Sequence, residues 1–186
     1  QLDVSDQSRF FAAAANVMRR ILVDHARGRN RLKRRPGGAA GEAAERVKPA
    51  MDWLKDRQIL DVYGDWAVNS PGVRPGGWAF QYNNAHYPDL DDTAVVAMAM
   101  DRVQAGSRAH GFDASLRRAR EWVLGLQSEN GGWAAFDADN PYSYLNNIPF
   151  ADHGALIDPP TEDVTARCLS MFAQLGETPE TSESVA

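Results

Sequence analysis

Trp122-Val-Leu-Gly-Leu-Gln127-Ser-Glu-Asn-Gly131-Gly-Trp133 carries the pattern that decides the fold, because it occurs twice. The other copy, Trp53-x4-Gln58-x5-Gly64-x-Trp66, begins 69 residues earlier. Each copy leads through a long loop into a second related element. Asp92-Thr-Ala94 opens the apolar run Val95–Val103, and Asp163-Val-Thr-Ala166 opens the run to Leu175. The unit is helix, Gly/Trp loop, long loop, helix, and repeated helix pairs of this size predict a solenoid or an α/α toroid. Apolar and polar residues nowhere alternate over the length of a strand, so the class is all-α.

The Gln, Gly and Trp positions have a structural rationale. A Gln following a helix can hydrogen-bond the backbone groups that a neighbouring helix end leaves without partners. Gly permits the turn after it. Trp offers a large flat surface with a single donor. These residues are expected to bind helix pairs together and to take no part in chemistry.

Outward from the repeat, the chain divides by charge. Residues 1–50 hold 11 Lys/Arg against 5 Asp/Glu, a balance of +6; residues 51–186 hold 9 against 20, a balance of −11. All five Trp lie at or after Trp53. The break falls in Pro36-Gly37-Gly38-Ala39-Ala40-Gly41, which has the composition of a linker. The expected layout is a basic amphipathic helix at 1–36, a linker at 37–44, a helical domain at 45–176 and a disordered polar tail at 177–186. At 186 residues, 44% hydrophobic and 24% charged, the composition is that of a globular protein. No apolar stretch is long enough to span a bilayer, and Gln1-Leu2-Asp3 does not begin a signal peptide. The single Cys168 forms no intrachain disulfide and fits a reducing, cytoplasmic setting.

In the first forty residues, Phe10, Phe11, Ala14, Val17, Met18, Ile21 and Leu22 recur at three- and four-residue spacing. That spacing predicts an amphipathic helix of about 25 residues. Its end, Arg27-Gly-Arg-Asn-Arg-Leu-Lys-Arg-Arg35, is strongly basic. One reading is contact of residues 19–35 with nucleic-acid phosphates or another anionic surface; the other is a solvated helix end whose cations suit the helix dipole.

Asp89-Leu90-Asp91-Asp92 immediately precedes a helical run. One reading places Asp89 at the cap and Asp91 and Asp92 in the first turn, where carboxylates accept backbone N–H groups and gain about 0.3–1 kcal/mol each. The other is a proton donor, since clustered carboxylates hold one proton among them when neighbouring like charges cannot all ionise cheaply.

The flanking residues carry a specific resemblance. Gly64-Asp-Trp-Ala-Val68, Pro75-Gly-Gly-Trp-Ala-Phe-Gln-Tyr-Asn-Asn84, Tyr87-Pro-Asp-Leu-Asp-Asp-Thr-Ala-Val-Val96, Asn146-Asn-Ile-Pro-Phe-Ala-Asp-His-Gly154 and Asp158-Pro-Pro-Thr-Glu-Asp-Val-Thr-Ala166 join the Gln127–Trp133 element, which looks like that family's QW motif. Together, over about residues 45–176, they resemble an internal piece of a squalene–hopene cyclase. Residues 6–35, with Phe10-Phe-Ala-Ala-Ala-Ala-Asn-Val-Met-Arg-Arg-Ile-Leu-Val-Asp-His-Ala-Arg27, resemble part of an extracytoplasmic-function sigma factor.

The cyclase resemblance implies part of an α/α barrel and proton-initiated cyclisation of a squalene-like polyprenoid to hopanoids. It assigns the proton-donor role to Asp91, supported by Asp89 and Asp92. Phe80 and Phe136 would line the cavity as electron-rich, non-nucleophilic walls facing the cations. Several relatives have Tyr where Phe136 stands. Asp163 and Arg167 match the pair behind the acid; some relatives have His at the second position, and Arg cannot shuttle a proton at neutral pH. Arg167 is accordingly expected as an electrostatic partner that makes Asp91 more acidic. No cofactor is implied. Four scattered His and one Cys form no metal spacing, and Asp137-Ala-Asp139-Asn140 lacks the Gly and Glu of a calcium loop. The full-length family is implied to work at the cytoplasmic membrane surface. Cyclisation needs a closed, dry cavity, so a fragment of this size is expected to give no detectable product alone. The alternatives are a nucleic-acid or RNA-polymerase-binding module using the basic helix, and an inert helical scaffold.

Overall fold

A computed structural model of the chain describes residues 38–81, 83–106, 111–149 and 157–185. The chain forms two units, residues 1–43 and 44–186, and both copies of the repeat lie in the second. The expected amphipathic helix and its basic end at 19–35 lie outside the described residues.

Helix α1 spans Gly38–Lys55. It begins inside the stretch expected as a linker at 37–44, because Ala and Glu outnumber the glycines there and favour helix. A four-residue α2 (Trp66–Asn69) and a two-residue antiparallel ladder follow, β1 (Trp78–Ala79) with β2 (Pro88–Asp89). Next come α3 (Leu90–Gly106), α4 (Asp113–Gly125), a 3-10 turn at Ser143–Asn147, α5 (Glu162–Gln174) and a 3-10 turn at Glu183–Val185. Apart from that short ladder the described residues are helical or irregular, so the all-α class holds. None of the described helices is long and apolar enough to cross a membrane.

Helix α3 is central and packs on both α4 and α5. Leu90, Ala94, Ala97 and Met100 on α3 are completely buried with Trp122 and Val123 of α4 and Cys168, Met171 and Phe172 of α5. Burying each large apolar side chain contributes about 1.5–3 kcal/mol. At its far end α3 is held to α5 by Gln174. The Gln174 amide donates to the Met98 carbonyl and to Asp101, both at 2.8 Å, and its oxygen accepts Arg102 Nε at 2.9 Å.

The two copies make matching hydrogen bonds, but the first closes at a different place. In the second copy Gln127 Nε2 donates to the Gly131 carbonyl (2.9 Å) and to the Ser184 carbonyl (3.0 Å). Trp133 Nε1 donates to the Val123 carbonyl at 2.7 Å. In the first copy Gln58 Nε2 donates to the carbonyls of Gly76 (2.7 Å) and Ser115 (2.9 Å), and Trp78 Nε1 donates to the Leu54 carbonyl at 2.7 Å. The partner of Gln58 is thus Gly76-Gly77-Trp78, not the nearer Gly64-x-Trp66. Trp66 instead enters the core, stacked on Tyr63 and edge-on to Trp122, with both centroid separations 5.9 Å. Gly131 takes φ +84°, which a side chain would make costly.

The tail also differs from expectation. Residues 177–185 do not lie loose: Arg120 pairs with Glu177, Gln127 holds the Ser184 carbonyl, and Val185 packs on the core. Its polar composition suggested fraying, but the Gln127 amide needs an acceptor and finds one there.

Candidate active site

Asp89 closes β2, where it stands opposite Trp78, and its carboxylate caps α3 by accepting the Asp92 amide at 2.7 Å. Asp91 and Asp92 follow in the first turn of the helix. The next amide, Leu90 N–H, donates to the Ala135 carbonyl at 2.8 Å, so the second Trp loop also abuts the motif. The local sequence explains the cap, and the two loops explain its burial.

Burial decides the electrostatics. Asp89 is 6% exposed, and removal from water pushes its carboxyl from 3.8 up to about 6. The Asp92 amide opposes that rise, while the Asp92 and Asp91 charges add to it. Asp92 is also raised, first by burial and then by Asp91, with Arg167 pulling the other way. Asp89 therefore keeps its proton to a higher pH than an ordinary carboxyl does, up to about 6.

Arg167 reaches this motif from α5. Its Nε lies 3.1 Å from Asp91 Oδ1. Asp163 lies a turn earlier on α5 and is exposed. Its carboxyl is held below the usual range chiefly by a hydrogen bond from Thr161, and Arg167 lowers it further. Arg167 thus touches Asp91 directly, whereas Asp163 interacts with Arg167 only through its charge. Next to Arg167 in sequence, the buried Cys168 thiol is pushed up to about 12, first by burial and then by the Asp91 and Asp89 charges.

Phe80 and Phe136 are brought together as an edge-to-face pair, with centroids 6.1 Å apart and planes at 85°. Phe80 is 61% exposed. Neither lines the cavity of about 390 Å³ beside the motif. That cavity is walled by Trp53, Trp78, Ala79, Asn84, Val96 and Asp92, so Asp92 faces it while Asp91 faces Arg167. Among the described residues no three His, Cys, Asp or Glu side chains are placed to share a metal ion.

Two threonines outside the expected set of site residues also touch the site. Thr93 Oγ1 accepts the Trp78 amide at 2.9 Å, and Thr165 Oγ1 accepts the Trp133 amide at 3.0 Å. The chain does carry a signal for them, since Asp91-Asp-Thr93-Ala and Asp163-Val-Thr165-Ala share one pattern.

Comparison with known proteins gives the family. The squalene–hopene cyclase C-terminal domain family matches residues 35–186, and the ECF sigma factor family matches residues 1–63. A probable squalene–hopene cyclase of Sinorhizobium fredii is 63% identical over 150 residues, covering 81% of this chain and 23% of that protein. The squalene–hopene cyclase of Bradyrhizobium diazoefficiens is 64% identical over 145 residues, covering 78% and 22%. That of Alicyclobacillus acidocaldarius is 49% identical over 140 residues, covering 74% and 22%. The chain spans less than a quarter of the length of these relatives. Through residues 35–186, the chain belongs to the squalene–hopene cyclase family.

Proposed function

We propose that residues 45–176 are the acid-bearing part of a squalene–hopene cyclase-type terpene cyclase. In this reading the two helix pairs belong to an α/α barrel tied by QW motifs, and further chain closes the cavity. The reaction starts when the Asp91 carboxyl gives its proton to a terminal alkene carbon of a squalene-like polyprenoid. The alkene π pair forms the new C–H bond, leaving a carbocation at the other carbon. The cation is then captured by the next double bond, the sequence repeats, and the last cation loses a proton to water to give the neutral alkene. Asp89 and Asp92 hold a proton within the motif, and the Arg167 guanidinium stands beside the carboxylate that proton loss leaves. The faces of Phe80 and Phe136 stabilise cations without attacking them. Work at the cytoplasmic membrane surface follows from the apolar substrate.

The observation that carries this reading is the raised, buried Asp89 beside Asp91, with Arg167 supplied from a second helix. The test replaces the matching segment of a full-length squalene–hopene cyclase with residues 45–176 and follows conversion of squalene to hopene. The chimera should turn over, and Asp91→Asn should lower its rate about 100-fold or more. Product formation that survives the substitution removes Asp91 from the role. The chain alone, incubated with squalene, should give no detectable product.

A second reading concerns residues 19–35, favoured by the sigma-factor match and the basic run. In it that run contacts nucleic-acid phosphates. Binding of the chain to duplex DNA should weaken steeply with salt; salt-insensitive or absent binding ends that reading.

A further inference from the structure

Thr93 and Thr165 occupy corresponding places in the two halves of the repeat. Each lies in the first turn of a helix, two residues after an aspartate, Asp91 or Asp163. Each hydroxyl oxygen accepts the backbone N–H of a Trp, at 2.9 Å for Trp78 and 3.0 Å for Trp133. Each Trp leads within three residues to one of the paired phenylalanines, Phe80 or Phe136. The residue before each Trp is a glycine with little room for anything larger. A Cβ at Gly77 would lie 2.8 Å from Thr93 Oγ1, and one at Gly132 would lie 3.2 Å from Thr165 Oγ1. Two loops of different length thus end in the same Gly-Trp-to-Thr junction, on the helices that carry Asp91 and Arg167.

We propose that Thr93 and Thr165 are positioning residues for the acid site, each fixing an aromatic loop to the helix that bears one partner of the Asp91–Arg167 pair. The proposal rests on the reading of Asp91 as the proton donor, and it concerns where Phe80 and Phe136 stand relative to that acid. Thr93 is completely buried, so the Trp78 amide has no water to turn to if the hydroxyl is removed. A buried backbone donor without an acceptor is costly enough to move its loop. Phe80 is two residues along that loop, and the ladder opposite it contains Asp89. A displacement of about 1 Å at such a site is enough to impair chemistry.

Valine has the shape of threonine without the acceptor, and serine keeps the acceptor without the methyl. Thr93→Val, Thr93→Ser and Thr165→Val in the full chain separate anchoring from packing. The readouts are the NMR contacts between the Phe80 and Phe136 rings and the carboxyl carbon titration of Asp89, whose titratable neighbours are Asp91, Asp92 and, from α5, Cys168. Thr93→Val should abolish the ring contacts and bring the Asp89 midpoint down by about one pH unit as water enters. Thr93→Ser should preserve both, and Thr165→Val should abolish the ring contacts from the other side. A folded Thr93→Val protein with ring contacts and midpoint unchanged would overturn the proposal, since a packing role alone lowers stability and moves neither. If Thr93→Val does not fold, Thr165→Val decides through the ring contacts, whose retention overturns the proposal and whose loss supports it. Neither readout needs turnover, so an inactive chimera counts against the proposed function and not against the anchors.

Discussion

Asp91 Oδ1 and Arg167 Nε lie 3.1 Å apart, joining two helices across 76 residues of chain, while their side chains remain 39% and 45% exposed. An ion pair this exposed contributes little to stability. Arg167→Gln should therefore cost less than about 1 kcal/mol in urea unfolding. Its electrostatic effect should be plain nevertheless, because Arg167 lowers the Asp92 carboxyl. In the variant Asp92 should titrate at higher pH in carboxyl NMR. An unchanged Asp92 midpoint would show that the guanidinium does not act on the motif.

Asp89 makes stability depend on pH in a definite direction. Its carboxyl rises from 3.8 to about 6 on folding, so between those values the native state holds the proton more tightly than the unfolded chain. Stability from this group is fully present below pH 3.8 and is lost as pH rises through about 6. Asp89→Asn keeps a cap acceptor but removes the titration. The stability of the native chain relative to this variant should fall by up to about 3 kcal/mol between pH 3 and 7, since each tenfold gain in proton affinity on folding is worth about 1.4 kcal/mol. Parallel stability curves for the two proteins would refute the burial of that carboxyl.

Gly76 and Gly72 make a matched pair for testing the first Trp loop. A Cβ at Gly76 would fall 2.3 Å from the Arg118 carbonyl oxygen, whereas one at Gly72 would meet nothing within 4 Å. Gly76→Ala should destabilise by about 1–3 kcal/mol or more, because backbone must move. Gly72→Ala should be neutral or stabilising by up to about 1 kcal/mol, through loss of unfolded-state freedom. Thermal unfolding of both variants gives the comparison.

The two glutamines test the corrected repeat. Gln58 is buried and serves the Gly76 and Ser115 carbonyls, so Gln58→Leu should cost about 1–3 kcal/mol. Gln127 is more exposed, and Gln127→Leu should cost less while releasing the last turn near Ser184. Amide exchange at residues 183–185 should quicken in the second variant and stay unchanged in the first. Equal effects of both substitutions there would mean that Gln127 does not hold the tail.

Much of the architecture is legible along the chain. The apolar runs after Asp92 and Asp163 become α3 and α5, and Asp89 caps its helix, because helix propensity and capping act over a few consecutive residues. The residues proposed for the site, Asp89, Asp91, Asp92, Phe80, Phe136, Asp163 and Arg167, all stand within or beside short contiguous motifs.

Partnerships over long separations are not legible. Linear spacing favours Gly64-x-Trp66 as the partner of Gln58, yet an intervening loop folds away and brings Gly76 to the Gln58 amide. Composition suggests a loose tail, yet the Ser184 carbonyl is the acceptor within reach of Gln127. Neither outcome follows from local preference, because a buried donor takes whichever acceptor packing delivers.

The amino-acid order alone carries the paired Gln, Gly and Trp pattern, the aspartates at a helix start and the family to which both belong, since each is written in short, contiguous patterns. Folding in three dimensions settles the electrostatics: which carboxyl is buried, which one meets Arg167 and which faces the cavity. The reason is that desolvation and charge pairing depend on distances between segments far apart in the chain, and those distances exist only once α3 has packed against α5 and the two Trp loops.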